Sequence, residues 1–216
     1  MSEACRADHR PVSALGWLVD HEAELRQALV GLRRDASVID RWGRQLARVL
    51  TGGGRLLVAG NGGSAAEAQH LTAELVGRFL AERRPLSAIC LSAETSSLTA
   101  IVNDYGAEEM FARQVEAHGR AGDIVLLLST SGRSPNVLRA AERASRVGLC
   151  SWALTGPGPN PLTARCDEAL TVQAPSTAAI QAVHLVVAHA ICASLDAQLC
   201  APASAQLLED LEELTG

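Results

Sequence analysis

Lysine is absent from this chain: its 216 residues include nineteen basic side chains, and every one is arginine. A lysine Schiff base is therefore impossible, which excludes Schiff-base aldolases, transaldolases and the ordinary pyridoxal-phosphate enzymes. A phosphate-binding loop that depends on lysine is excluded for the same reason. Any phosphate ligand must be held by a different kind of site.

Aromatic residues are also scarce, and the net charge is negative. Aromatics make up 3% of the chain and the formal net charge is -5, so neither a base-stacking platform nor the basic surface of a nucleic-acid-binding protein is expected. The 48% hydrophobic and 20% charged residues are typical of a folded globular protein with a sizeable core. We expect no nucleic-acid partner.

The six cysteines form no Cys-x-x-Cys pair, and several lie in apolar runs. This usage favours buried free thiols in a reducing compartment. The N-terminal residues do not resemble a secretory signal, and no uninterrupted apolar run reaches the ~20 residues that a membrane span needs. We therefore expect a cytoplasmic protein with no membrane partner.

Short apolar runs alternate with helical patterns along most of the chain. The predicted strands are 55–59, 86–91, 123–128, 150–154 and 168–172. The predicted helices between and after them are 64–80, 94–102, 108–117, 134–147, 177–199 and 204–214. This order predicts an α/β fold with a doubly wound, five-stranded parallel sheet covered by helices on both faces.

Residues 12–50 lie outside this alternation and predict two N-terminal helices, with Asp35 as a cap between them. They either cap the sheet or build a contact between subunits. We divide the chain into residues 1–52, the leading helices of the same domain, and residues 53–216, the ligand-binding part.

The first predicted strand ends in the glycine-rich loop Gly60-Asn61-Gly62-Gly63-Ser64-Ala65, which opens a helix. Glycines allow close approach of an anion to the backbone, and helix N-terminal amides supply donors. A tight strand-to-helix turn explains the same residues, and the loop also matches a dinucleotide-binding pattern. The acid that this pattern requires should follow the second strand, but Glu82 precedes it. No nucleotide cofactor is expected.

The third predicted strand ends in a loop rich in hydroxyl groups, Ser129-Thr130-Ser131-Gly132-Arg133-Ser134. Hydroxyls and free amides at a helix start can hold a phosphate monoester without lysine. Helix capping by Ser134, with Pro135 at the first helical position, explains only one of the four hydroxyls. The pattern therefore favours phosphate binding.

These loops resemble those of the sugar isomerase domain family, and the serine-rich loop looks like its phosphosugar loop. Three further segments narrow the resemblance to the phosphoheptose isomerases. They are 61–78, Val102-Asn103-Asp104-Tyr105-Gly106, and 180–189 with Gln181, His184 and His189. The motifs appear in the family's order over about residues 53–195. The resemblance implies a flavodoxin-like sheet and a small phosphorylated sugar as ligand.

Titratable side chains recur at helical spacing on two of the predicted helices. His70 and Glu74 are four residues apart and lie about 40° apart around a helix axis. On the last long helix, His189 lies about 80° from Gln181, and His184 lies about 60° from it on the other side. Geometry alone leaves both histidines open, whereas the resemblance points to His189.

The resemblance implies an aldose-ketose isomerase that converts sedoheptulose 7-phosphate to D-glycero-D-manno-heptose 7-phosphate through an enediolate, for nucleotide-heptose biosynthesis. Glu74 would be the base and His189 the acid or proton shuttle. His70, Glu74, Gln181 and His189 are plausible ligands for zinc. The substrate-binding residues would be Asn61, Gly62, Gly63, Ser64, Glu74, Asn103, Asp104, Ser129, Thr130, Ser131, Ser134 and Gln181. The family also implies a homotetramer with active sites shared between subunits.

The segment Thr177-Ala178-Ala179-Ile180-Gln181-Ala182 departs from the family pattern. Many members have Asp and Arg shortly before the glutamine and Glu just after it, so contacts to the distal sugar hydroxyls are in doubt here. Two alternatives stay open: an isomerase of another sugar phosphate, and a non-catalytic relative that binds a replication initiator. That relative lacks the catalytic glutamate and the final histidine, both of which this chain has.

Overall fold

The computed structural model describes residues 13–200 and contains one five-stranded sheet with helices on both faces. The helices are α1 (Ala14–Leu32), α2 (Ala36–Thr51), α3 (Gly63–Val76), α4 (Thr95–Tyr105), α5 (Glu109–His118), α6 (Pro135–Val147) and α7 (Thr177–Cys200). The strands are β1 (Leu56–Ala59), β2 (Ala88–Cys90), β3 (Ile124–Ser129), β4 (Cys150–Thr155) and β5 (Glu168–Thr171). The predicted helix 204–214 lies outside the described residues.

All strand pairs are parallel, in the order β2-β1-β3-β4-β5. This is the flavodoxin-like order, and the predicted α/β fold class is confirmed. The direction of winding reverses between β1 and β3, where Leu56 pairs with Ile124. Ligands in such sheets bind beyond the carboxyl ends of the strands at this switch point.

The central strand β3 is buried on both faces. Its residues Ile124, Leu126 and Leu128 join a core with side chains of α2, α3 and α7. The alternate residues Val125 and Leu127 join a second core with side chains of α5 and α6. Successive strand residues point to opposite faces, so two helical layers explain why β3 is apolar throughout.

The two leading helices behave differently. Helix α2 is part of the core, because Trp42 is fully buried and stacks on Trp152 of β4 with ring centroids 4.7 Å apart. Helix α1 leaves large apolar side chains in solvent. They are Leu15, Trp17, Leu18, Val19 and Val30, which are 48–72% exposed. Helix α2 therefore caps the sheet, and α1 offers an uncovered apolar surface.

Three local expectations are corrected. Helix α3 ends at Val76 rather than residue 80, because the backbone leaves helical geometry at Gly77, whose amide donates to the Ala73 carbonyl at 2.8 Å. Asp35 stands at the N-cap of α2 but makes no side-chain capping bond. Strand β2 is shorter than predicted, since only Ala88–Cys90 pair with β1.

The cysteines within the described residues are all free, and they are less uniformly buried than expected. Cys192 is fully buried, Cys200 is exposed, and three are intermediate: Cys90, Cys150 and Cys166. Burial raises the pKa of Cys166 and of Cys192 to about 12. The expectation of a uniformly buried set is therefore wrong for Cys200.

Helix α7 is long and apolar enough to cross a membrane by length and composition alone, the one such helix among residues 13–200. In this fold it is the central core helix, because it packs against α2 and α3 and half of its most apolar stretch is buried. Its apolar sequence is interrupted by Gln181, His184 and His189, in line with the absence of an uninterrupted apolar run of ~20 residues. Its histidines and Gln181 give α7 a polar face turned toward α3.

Candidate active site

The glycine-rich loop and the serine-rich loop meet at the switch point of the sheet. Asn61, which follows β1, exchanges two side-chain hydrogen bonds of 2.9 Å with Asn136 in the first turn of α6. The Nδ2 of Asn136 also lies 3.8 Å from the Met110 sulfur. This pairing fixes the start of α6 against the loop that opens α3. Asn136 was not predicted as a site residue.

The serine-rich loop brings two of its other hydroxyls close to that of Ser129. The Oγ of Ser129 lies 3.5 Å from that of Ser131 and 3.2 Å from that of Ser134. Ser134 occupies the N-cap of α6 but makes no side-chain capping bond, so capping does not explain its hydroxyl. The partly exposed Thr130 uses its carbonyl to accept the Gly156 amide at 3.1 Å. Hydroxyls and a helix N-terminus thus converge, as an anion site requires.

The side chain of Asn160 packs against Gly132 of the serine-rich loop. Gly132 has a positive φ of 61°, and a Cβ there would lie 2.1 Å from the Asn160 side chain. Asn160 is buried and donates to the Thr155 hydroxyl at 3.0 Å. Glycine is therefore required at position 132, both for its backbone conformation and for the space it leaves.

The start of α3 is shaped to receive Gln181 of α7. A Cβ at Gly63 would lie 2.2 Å from the Gln181 Nε2, so the glutamine side chain packs directly on this glycine. Gly62 has a positive φ of 55°, and Ser64 is buried in the first turn. Gly63, the third glycine of the loop, thus makes room for a contact between α3 and α7, which spacing along the sequence did not predict.

Three predicted active-site side chains converge where α3 and α7 face each other. The Nε2 of His70 lies 2.9 Å from the Nε2 of His189 and 3.2 Å from Oε1 of Glu74. The His70 side chain is 43% exposed and that of Glu74 is 21% exposed, so the cluster is open to a ligand. One donor atom from each residue lies within 4.8 Å of the others.

This donor set fits a divalent metal ion. Two imidazoles and a carboxylate are ligands that zinc accepts, and three protein ligands leave a position for water or substrate. Gln181 reaches the same helix-helix interface from α7 through its contact with Gly63. The chemistry of His70, Glu74 and His189 is therefore compatible with the predicted zinc site.

His184 lies elsewhere. Its side chain is fully buried, and its Nδ1 is 3.7 Å from Oε2 of Glu67 on α3. The structure thus separates the two histidines that helical geometry alone left open. Phe79, which was not predicted, stacks on the His189 ring with centroids 5.5 Å apart. No local pattern could reveal it, because Phe79 lies beyond the end of α3.

Asn103 and Asp104 are exposed on α4. The Asn103 Nδ2 donates to Oδ1 of Asp104 at 2.7 Å. Asn103 lines a cleft with Met110, the residue that contacts Asn136 at the switch point. Asn103 therefore lies near the two loops, and its assigned contact with substrate stays a prediction.

A family model described as the SIS domain matches residues 21–156. The chain belongs to the SIS domain family, whose parallel sheet and ligand loops are those described above. A phosphoheptose isomerase of Streptomyces coelicolor is 62% identical over 182 residues, covering 84% of this chain and 79% of that protein. One from Bradyrhizobium is 43% identical over 185 residues, covering 84% and 93%.

Solved structures agree with this placement. The phosphoheptose isomerase of Neisseria gonorrhoeae matches with a TM-score of 0.79 and 36% identity, over 86% of this chain and all of that one. That of Francisella tularensis matches with a TM-score of 0.80 and 34% identity, over 85% and 98%. Within the SIS family, the chain belongs to the phosphoheptose isomerases.

Proposed function

We propose that this protein isomerises sedoheptulose 7-phosphate to D-glycero-D-manno-heptose 7-phosphate through an enediolate, in nucleotide-heptose biosynthesis. One observation carries the proposal. His70, Glu74 and His189 converge on helices α3 and α7, and α3 begins at the switch point beside the serine-rich loop. Membership of the phosphoheptose isomerases supports the choice of substrate.

The spacing along α3 suits a phosphorylated sugar. Ser64 lies in the first turn of the helix, and His70 lies six residues further, about 9 Å along the axis at 1.5 Å per residue. A sugar whose phosphate lies against the serine-rich loop can therefore present its other end to Glu74 and His189. Ser129, Thr130, Ser131 and Ser134 hold the phosphate, and Asn103, Asp104 and Gln181 position hydroxyls.

The reaction moves one proton between adjacent carbons. Glu74 removes the proton from the first carbon of the ketose and returns it to the second, while His189 moves a proton between the two oxygens. His70 lies within hydrogen-bond distance of His189 and beside Glu74, so it orients both groups. The partly buried carboxylate remains accessible to substrate.

Zinc is the proposed metal, held by His70, Glu74 and His189, with Gln181 as a further ligand. When bound, zinc would polarise the substrate carbonyl. Glu74 would then be both a ligand of the ion and the base. Dialysis against a chelator, followed by metal analysis and calorimetric titration with zinc, tests the site without relying on turnover.

A panel of ketose phosphates tests the proposed substrate. We expect isomerisation of sedoheptulose 7-phosphate at a kcat/KM well above that for pentulose and hexulose phosphates. The departure of the segment Thr177–Ala182 from the family pattern favours a second candidate, an isomerase of another sugar phosphate. A higher kcat/KM for any of these would replace the heptulose assignment.

We further propose a cytoplasmic homotetramer with active sites shared between subunits. The exposed apolar side chains Leu15, Leu18 and Val19 of α1 support association, because they lie within about 100° of one another around the helix axis and an exposed apolar patch is typical of an interface. Sedimentation at micromolar concentration should give about four times the 22.7 kDa chain mass. A monomer would contradict the proposal.

A further inference from the structure

The C-terminal end of α3 is capped by an arginine from the following loop. The last carbonyls of a helix lack intrahelical donors, and a cation is favourable at this end. Arg83 supplies both: its Nη2 donates to the Glu74 carbonyl at 2.7 Å, and its Nη1 donates to the Leu75 carbonyl at 2.9 Å. The guanidinium thus holds the backbone of the proposed catalytic base.

Asp196 of α7 fixes this guanidinium in place. Its Oδ1 accepts from Arg83 Nε at 2.9 Å, and the Arg83 and Asp196 side chains are only 5% and 8% exposed. The other carboxylate oxygen accepts from the amides of Leu80 and Ala81 at 3.4 Å each. A buried ion pair is stable only when its polar atoms have hydrogen-bond partners. Here both the guanidinium of Arg83 and the carboxylate of Asp196 make several hydrogen bonds.

Asp196 lies on the face of α7 that carries His189. The two residues are seven apart, so they lie about 20° apart around the axis and about 10 Å apart along it. The loop that carries Arg83 also carries Phe79, which stacks on the His189 ring. The Arg83–Asp196 pair therefore ties the helix of Glu74 to the helix of His189, immediately beside the site.

We infer that Arg83, held by Asp196, is a positioning residue that sets the place of Glu74 relative to His189. The inference rests on the proposed role of Glu74 as base. Arg83 contacts the backbone of Glu74 and leaves its carboxylate free, so it acts through geometry and not through proton transfer. Small displacements of a catalytic group reduce turnover strongly, whereas phosphate binding at the distant serine-rich loop is unaffected.

The double variant Arg83→Met/Asp196→Leu tests the inference without leaving a buried charge unpaired. We expect kcat to fall about 10- to 100-fold, with KM within about threefold of the parent, once the folded fraction is matched by circular dichroism. A parental kcat in the folded double variant would overturn the inference. If this variant does not fold, Asp196→Asn decides, because it keeps an acceptor but removes the charge. The kcat of Asp196→Asn should fall at least threefold at constant KM. A parental kcat in this variant would also overturn the inference.

Arg84 provides a matched control. This neighbouring arginine also donates to the end of a helix, with its Nη2 2.9 Å from the Thr51 carbonyl of α2, but it does not contact α3 carbonyls. Arg84→Met should retain parental kcat. A loss in Arg84→Met equal to that in the double variant would show that any disturbed helix end lowers turnover, and so would refute the specific role of Arg83.

A combination with Glu74→Gln separates positioning from a general effect on the fold. If Arg83 acts through Glu74, the double variant should lower kcat little further in the Glu74→Gln background, because residues that act as a unit are non-additive. Fully additive losses would overturn the inference. Parental activity in Glu74→Gln alone would instead refute the proposed base, which distinguishes the two failures.

Discussion

The Nδ1 of His184 lies 3.7 Å from Oε2 of Glu67, and neither ring nitrogen of this fully buried histidine has a hydrogen-bond partner within residues 13–200. The pair joins α7 to α3 at a distance from the cluster of His70 and His189. We therefore expect His189→Gln to lower turnover about 100-fold or more, and His184→Gln to keep much more activity while unfolding at a lower temperature. Turnover and thermal unfolding of both variants check this. Loss of turnover in folded His184→Gln would reverse the assignment.

Glu74→Gln preserves the shape of the side chain but removes the base. Turnover should fall about 100-fold or more, which is the usual contribution of a general base. Exchange of the first-carbon hydrogen with deuterated water should fall in parallel, because it reports the same proton removal. Binding of the sugar phosphate should largely survive, since the serine-rich loop is unchanged. A near-parental exchange rate would exclude Glu74 as the base.

Thr130→Ala and Ser131→Ala should mainly weaken substrate binding. Each loses a hydrogen bond to a charged phosphate, at a cost of about 1.5–3 kcal/mol. Calorimetric titration with the sugar phosphate measures the loss, and thermal unfolding serves as the control for folding. Parental affinity in both variants would show that the phosphate lies elsewhere.

The thiols should differ sharply in reactivity. Burial raises the pKa of Cys166 and of Cys192 to about 12, so at pH 8 both remain protonated and inert in the native protein. Cys200 is exposed and should be alkylated before Cys166 and Cys192. Peptide mapping after iodoacetamide treatment, with and without urea, measures each site. Early labelling of native Cys192 would contradict its burial.

Acid should weaken the ionic cluster between α5 and α6. A hydrogen bond from Arg139 and the charge of Arg143 lower the pKa of Glu109, partly opposed by burial. Since the pKa in the folded state is the lower one, the stabilisation is present above the ordinary pKa of glutamate and is lost as pH falls through the lowered pKa. Glu109→Gln should therefore unfold at a lower temperature than the parent at pH 7, and the difference should vanish in acid. Glu82→Gln, at an 89% exposed side chain, is the control.

The sheet, its strand count and the positions of most helices could be predicted from the sequence. Buried parallel strands such as Ile124–Ser129 are continuous apolar runs, and helices such as Pro135–Val147 carry a strong periodic pattern and a proline at the start. The four-residue spacing of His70 and Glu74 likewise places both on one helical face. These features depend on residues that are close together in the sequence, so sequence patterns are sufficient to predict them.

Contacts between distant segments could not be predicted in this way. Gln181 on Gly63, Asn136 on Asn61 and Phe79 on His189 all join elements whose relative placement is set by packing. The choice between His184 and His189 shows the same limit. Spacing left both open, and the structure places only His189 beside His70 and Glu74. Before the structure, only the family resemblance pointed to His189, because helical periodicity does not distinguish the two histidines.

The stacked indoles of Trp42 and Trp152 provide a spectroscopic probe of the packing of α2 against β4. Their ring planes are 2° apart, and both residues are fully excluded from water, whereas Trp17 is 48% exposed. Indoles that packing holds rigidly and excludes from water contribute a near-ultraviolet circular dichroism signal that a solvated indole lacks. That signal exists only while α2 lies against β4. Docking of the leading segment on the sheet can thus be followed spectroscopically in the unlabelled protein.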